Sequence, residues 1–95
     1  MLKSQAQKQA LKHIPAPRGN PSGFPDLQPV KRKTPVQGGE GLRKRWKDKD
    51  GKVYEWDSRH GTLEKYDRTG KHLGEFDAGT GAQLKGPNSA RRIEP

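Results

Sequence analysis

The apolar residues of this chain lie in short runs separated by turn signals. Asp50-Gly51, Gly61, Thr69-Gly70 and Gly79-Thr80-Gly81 recur about every ten residues, and each opens onto a strand-like run: Lys52 to Asp57, Thr62 to Asp67, His72 to Asp77 and Ala82 to Lys85. Three of these runs end in aromatic-Asp: Trp56-Asp57, Tyr66-Asp67 and Phe76-Asp77. With Leu42 to Lys47 as the first strand, the pattern predicts a mainly β fold, an antiparallel meander of about five strands. The parity is inconsistent, because Val53, Leu63 and Leu73 sit opposite to Trp56, Tyr66 and Phe76. Either both faces of the sheet are partly covered, one by the Pro-rich arm, or the sheet is bulged and strongly twisted.

The first half of the chain is different in kind. Six prolines between His13 and Pro35, with Gly19 and Gly23, deny regular backbone hydrogen bonding. This arm is expected to be extended and to pack over the sheet through Ile14, Phe24, Leu27 and Val30. Residues 1–12 carry only a thin apolar stripe and are expected to be a linker tail or one short helix, so that the class is α+β at most. Gln37 to Gly41 is a flexible joint. The expected division is 13–41 arm, 42–86 sheet and 87–95 basic C-terminal tail, all one domain.

Ninety-five residues at 26% hydrophobic content leave little to bury, so the fold must be small. There is no Cys, hence no disulfide framework and no thiolate zinc site, and three scattered histidines are poor metal-ligand material; no metal and no cofactor are expected. No apolar run approaches a membrane span and no signal-peptide core opens the chain.

Charge changes the picture. The formal net charge is +9; residues 1–47 hold eleven Lys/Arg against two acids and residues 48–95 hold nine against nine, so the excess lies wholly in the first half. This is either a solvated arm or an electrostatic footprint for nucleic acid. In Leu42-Arg43-Lys44-Arg45-Trp46-Lys47, strand alternation sets Arg43 and Arg45 on one face as a phosphate track, with Lys44 and Trp46 on the other. Trp46 is expected in the core rather than stacked on a base. Lys44, Lys31, Arg32, Lys33, Arg59, Lys85 and Arg92 complete the candidate RNA contacts.

The candidate chemistry is concentrated between Tyr54 and Tyr66. Asp57, His60 and Glu64 bring three proton-transfer side chains into one span, and a hairpin closed at Ser58-Arg59-His60-Gly61 would set Asp57 beside Thr62, His60 at the tip and Glu64 on the returning strand. These could be solvated turn residues. Alternatively they suit RNA cleavage, which requires a base for the 2′-hydroxyl, an acid for the leaving 5′-oxygen and cations for the phosphorane. Glu64 is then the base and His60, held by Asp57, the acid. His13 and His72 are expected to be ordinary surface residues.

The segment Tyr54-Glu55-Trp56-Asp57-Ser58-Arg59-His60-Gly61, with Leu63-Glu64, Tyr66, His72-Leu73-Gly74, Phe76-Asp77, Thr80-Gly81 and Gln83 to Pro87, resembles the cytotoxic ribonuclease domain of E-group colicins that cut small-subunit ribosomal RNA. The likeness runs from about residue 13 to 93. It implies a toxin domain of a longer bacteriocin, secreted with delivery domains, that cuts 16S rRNA near the decoding centre in the cytoplasm of a target bacterium. It also implies an acidic immunity protein as inhibitor, and neither DNA nor membrane as a partner of this domain. By position the family's catalytic Asp, His, Glu and Arg fall on Asp57, His60, Glu64 and Arg91, and its substrate-contacting arginines on Arg43 and Arg45. There are departures: Thr62 replaces a family Glu, Ala90 replaces a Lys and leaves Arg91 and Arg92 as alternatives, and one residue is missing between Trp46 and Tyr54. A non-catalytic RNA-binding module and a tRNA-cleaving toxin domain are the rival readings.

Overall fold

The computed structural model describes residues 13–95; the linker tail or short helix expected over residues 1–12 lies outside them. The described residues form no helix. They make one antiparallel sheet of six strands in sequential order: β1 (Gln28–Val30), β2 (Arg45–Lys47), β3 (Val53–Asp57), β4 (Thr62–Tyr66), β5 (His72–Phe76) and β6 (Gln83–Lys85).

The expected meander is present with one strand more than the sequence suggested. The extra strand comes from the proline arm, where Gln28 pairs with Lys47 and Val30 with Arg45. Pro29 lacks an N–H, which a sheet tolerates at its edge, and β1 is an edge. The strand expected over 42–47 is correspondingly shorter. Leu42 makes only an isolated bridge with Pro35, and the Arg43 N–H donates to the Thr34 carbonyl at 2.7 Å.

Turn chemistry repeats along the sheet. Asp48, Asp57, Asp67 and Asp77 each follow or end a strand, and each accepts the backbone N–H two residues on, from Asp50, Arg59, Thr69 and Gly79 respectively. These Asx bonds reverse the chain and account for the recurring aromatic-Asp pairs. In the β3–β4 hairpin, Gly61 closes the turn by donating to the Asp57 carbonyl at 2.7 Å, with φ at 69°, a region where a Cβ would be strained.

Both resolutions of the parity conflict operate together. Trp56 opposite Leu63 and Trp46 opposite Tyr54 place four buried residues on one face, where Leu27 joins them and Ala16, Phe24, Phe76 and Ala78 pack against the cluster. The arm is the roof of this core. It is fastened by the Trp56 indole donating to the Ile14 carbonyl at 2.7 Å, by Lys44 Nζ donating to the Pro17 carbonyl at 2.7 Å, and by the Gly23 N–H donating to the Ala78 carbonyl at 2.8 Å. Of the four expected arm contacts, Leu27 is buried and Phe24 and Val30 half-buried, while Ile14 is exposed and engages through its backbone. Trp46, completely buried, is a core residue as expected. Each such large apolar side chain contributes about 1.5–3 kcal/mol on burial.

The opposite face carries Arg45, Val53, Glu55, Asp57, Thr62, Glu64 and Tyr66 by strand alternation. A register shift at Lys65/Tyr66 pairs Tyr66 with His72 and leaves Leu73 without a partner on β4, so β5 changes parity in mid-strand. The C-terminal tail returns along β5. Lys71 bridges Arg92, the His72 N–H donates to the Arg91 carbonyl at 3.3 Å, and the Ile93 N–H donates to the Gly70 carbonyl at 3.0 Å.

Candidate active site

The polar face gathers ionisable side chains, and the hairpin and the tail between them position its groups. Asp57 ends β3 on this face. Its Oδ1 accepts the N–H groups of Arg59 and His60, while Oδ2 lies 2.8 Å from His60 Nδ1. Burial by itself would raise the Asp57 carboxyl, but the His60 ring and amide bonds, the charge of that ring and contact with Glu64 outweigh it and hold the carboxyl below its usual range. The imidazole of His60 is 60% exposed, so the residue that Asp57 orients faces outward, where a polymer can reach it.

Glu64, two positions along β4 from Thr62, is almost fully buried on the same face. Two donors converge on its Oε1: His72 Nε2 at 2.7 Å and Arg91 Nη1 at 3.2 Å. The His72 bond has a defined tautomer. His72 Nδ1 accepts the backbone N–H of Asn88 at 2.9 Å, which requires a lone pair there and leaves the ring proton on Nε2, aimed at Glu64. Tyr66 stacks edge-on against the His72 ring at 5.2 Å and accepts from Arg91 Nη2 at 3.1 Å. Burial would lower the Arg91 guanidinium, but Tyr66 and Glu64 outweigh it and raise it, so the cation is fixed. For Tyr66, burial raises the phenol.

Asp57, His60 and Glu64 thus lie toward one side of the sheet, and of the two C-terminal arginines it is Arg91 whose guanidinium reaches Glu64, while Arg92 is exposed and pairs along β5. The site also holds a group for which the sequence offered no role. Glu75, opposite Glu64 on β5, accepts from the Thr62 hydroxyl at 2.7 Å and lies 3.7 Å from Lys85 Nζ. Asp57, His60 and Glu75 present one ligand-type atom each within 4.8 Å of one another. A cation there would compete with the Asp57–His60 and Thr62–Glu75 bonds.

Two expectations give way. Arg45 is 1% exposed, and its guanidinium is spent on Glu55 Oε2 at 2.8 and 2.9 Å and on Thr34 Oγ1 at 3.2 Å, so it is not a surface phosphate contact. The cause is its place opposite Glu55, which would otherwise be a lone buried charge. His72 is no surface residue either; it is buried and holds Glu64. Lys44 is engaged with the arm carbonyls, and Lys33 with the Pro95 carbonyl at 2.8 Å. Arg43 is half-buried with Nη1 unbonded, whereas Lys31, Arg32, Arg59, Lys85 and Arg92 are exposed.

Residues 14–94 match the family profile described as Cytotoxic. The chain belongs to this family. It is 55% identical over 83 residues to colicin E3 of Escherichia coli, an alignment covering 84% of this chain and 15% of the relative. It is 54% identical over 74 residues to both cloacin and colicin-E6 of Escherichia coli, covering 76% of this chain and 13% of each. The chain thus corresponds to the cytotoxic part of a bacteriocin and spans about a seventh of the length of these curated relatives. The octapeptide from Tyr54 to Gly61 was a sufficient signal for the family. Glu75 carried no signal in the sequence, and Tyr66 and His72, although part of the resembling pattern, were given no place in the site, because the convergence of all three depends on the β4–β5 register.

Proposed function

We propose that this domain is an endoribonuclease that cuts 16S rRNA in the decoding-centre region of the ribosome and so stops translation. The observation that carries the reading is the pairing, on one sheet face, of an exposed imidazole backed by a buried carboxylate with a second buried carboxylate held by a guanidinium. Glu64 takes the proton of a ribose 2′-hydroxyl as that oxygen attacks the adjacent phosphorus. The bond from phosphorus to the 5′-oxygen breaks, and His60 gives that oxygen its Nε2 proton. The products are a 2′,3′-cyclic phosphate and a 5′-hydroxyl. Asp57 binds Nδ1, directs Nε2 outward and favours the charged ring. Arg91 stabilises the charge that gathers on the phosphorane oxygens. His72 fixes the Glu64 carboxylate through a proton it keeps. No step in this scheme calls on a metal.

The exposed cations Lys31, Arg32, Arg59, Lys85 and Arg92 serve as phosphate contacts. Delivery domains of a longer secreted toxin carry the domain into the target cytoplasm, and an acidic immunity protein that associates quickly with a +9 chain protects the producer.

Purified ribosomes incubated with the protein, with and without EDTA, test the reading. One discrete fragment from the end of small-subunit RNA in both tubes is expected, and its loss in His60→Ala with RNA binding retained. Intact RNA with binding retained would support a non-catalytic module, and nicked tRNA the rival toxin class.

A further inference from the structure

The pair Thr62–Glu75 has no part in the scheme above, yet it sits against it. In the β4–β5 ladder Glu64 faces Glu75, so two carboxylates meet at one register position of a small sheet. Like charges at such a position destabilise unless something holds them apart. Here each is turned to different partners. Glu64 goes to His72 and Arg91, and Glu75 reaches along the sheet to the Thr62 hydroxyl, at the end of β4 where Asp57 and the His60 turn lie. Glu75 is 7% exposed and brings its oxygen within 4.8 Å of both Asp57 and His60. Its nearest cation among the described residues, Lys85 Nζ, is 3.7 Å away and 71% exposed, too solvated to cancel it.

We infer that Glu75 is a positioning residue of the active site: a second carboxylate, delivered from β5 and aimed by Thr62, that supports the His60 imidazolium. This rests on the ribonuclease reading and deepens it. The charged groups around His60 are Asp57 on β3, Glu75 on β5 with Lys85 of β6 against it, Glu64 of β4 with Arg91 from the tail, and Arg59 in its own turn. Among these, Asp57 and Glu75 supply negative charge at short range, and Glu64 is offset by Arg91. Through its hydroxyl Thr62 fixes, beside the His60 turn, a carboxylate from the neighbouring strand.

The test is the pH profile of kcat/KM for rRNA cleavage by the intact domain. Glu75→Gln keeps the acceptor for Thr62 and the side-chain volume while removing the charge. Its alkaline limb is expected to move down by about half a pH unit, roughly a threefold loss well above the limb, with near wild-type rates below it. The double variant T62E/E75Q returns a carboxylate from the other strand and is expected to restore the limb. A uniform rate loss with the limb unmoved, or no recovery in the double variant, overturns the inference while leaving the ribonuclease reading intact. Absence of cleavage by the wild type overturns both. A thermal melt of each variant separates misfolding from the electrostatic effect, and Thr62→Val, which frees Glu75 without removing it, is expected to shift the limb in the same direction by less.

Discussion

Removing the Arg45 side chain separates structure from RNA binding at a residue where sequence alone suggested the latter. Arg45 and Glu55 are 1% and 0% exposed, so solvent screens neither, and two guanidinium bonds of 2.8 and 2.9 Å to Glu55 Oε2 carry the pair. Glu55 Oε1 has no partner, so nothing among the described residues replaces the lost cation. Breaking a buried pair from one side costs about 3–5 kcal/mol, against a total stability of roughly 4–12 kcal/mol for a domain this size. With a urea m-value of about 1.5 kcal/mol/M, the midpoint of Arg45→Ala is expected to fall by roughly 2–3 M. Replacing both partners by methionine, which leaves no buried charge, is expected to lose less than Arg45→Ala alone. The salt dependence of RNA binding by folded protein should be unchanged, because Arg45 neutralises no phosphate. An unaltered urea midpoint together with a salt slope shallower by nearly one unit, the signature of a lost phosphate contact, would refute the assignment.

Three further outcomes follow from the same geometry. His72→Ala, which frees the Glu64 carboxylate on one side, is expected to lower kcat by about ten- to a hundredfold with KM little changed, measured by single-turnover rRNA cleavage. Asp48 and Asp57 are held below their usual range, in each case because hydrogen bonds outweigh the raising effect of burial. A carboxyl with a depressed folded pKa stabilises above its unfolded value of about 4, and that contribution is lost as pH falls through the folded value, so unfolding should set in below about pH 4; Asp48→Asn should lower stability at neutral pH and flatten this acid dependence in urea titrations. At Gly70, φ is 91° and an added Cβ would collide with the Ile93 carbonyl. Gly70→Ala should therefore undock the tail, reduce cleavage through misplacement of Arg91, and raise amide exchange at Ile93 before that of β3 or β4.

Much of the sheet was legible because turn residues and β-forming residues recur on a regular spacing, and the Asx bonds of four aspartates give that spacing its cause. The hairpin site was legible for the same reason: Asp57, His60 and Glu64 are local, and one tight turn decides their geometry. What escaped depends on contacts between distant residues. Pro29 reads as a strand breaker until β2 lies beside it as an edge partner. His72 would face away from Glu64 in a regular ladder, where Leu73 would oppose Tyr66; the bulge that skips Leu73 turns His72 into the site. Arg45 reads as a nucleic-acid contact in a basic strand, and only its register opposite Glu55 reveals a buried pair. Alternation gives the face a side chain takes, not whether the rest of the chain covers that face.

The most direct measurement concerns the ends of the cut RNA. If Glu64 and His60 act on a 2′-hydroxyl and a 5′-oxygen flanking one phosphate, the fragment from treated ribosomes must carry a 2′,3′-cyclic phosphate and its neighbour a free 5′-hydroxyl, and a 2′-deoxy substitution at the scissile nucleotide must bind without being cut. A 3′-hydroxyl with a 5′-phosphate, or cleavage of the deoxy-substituted substrate, would contradict the assignment of these two residues.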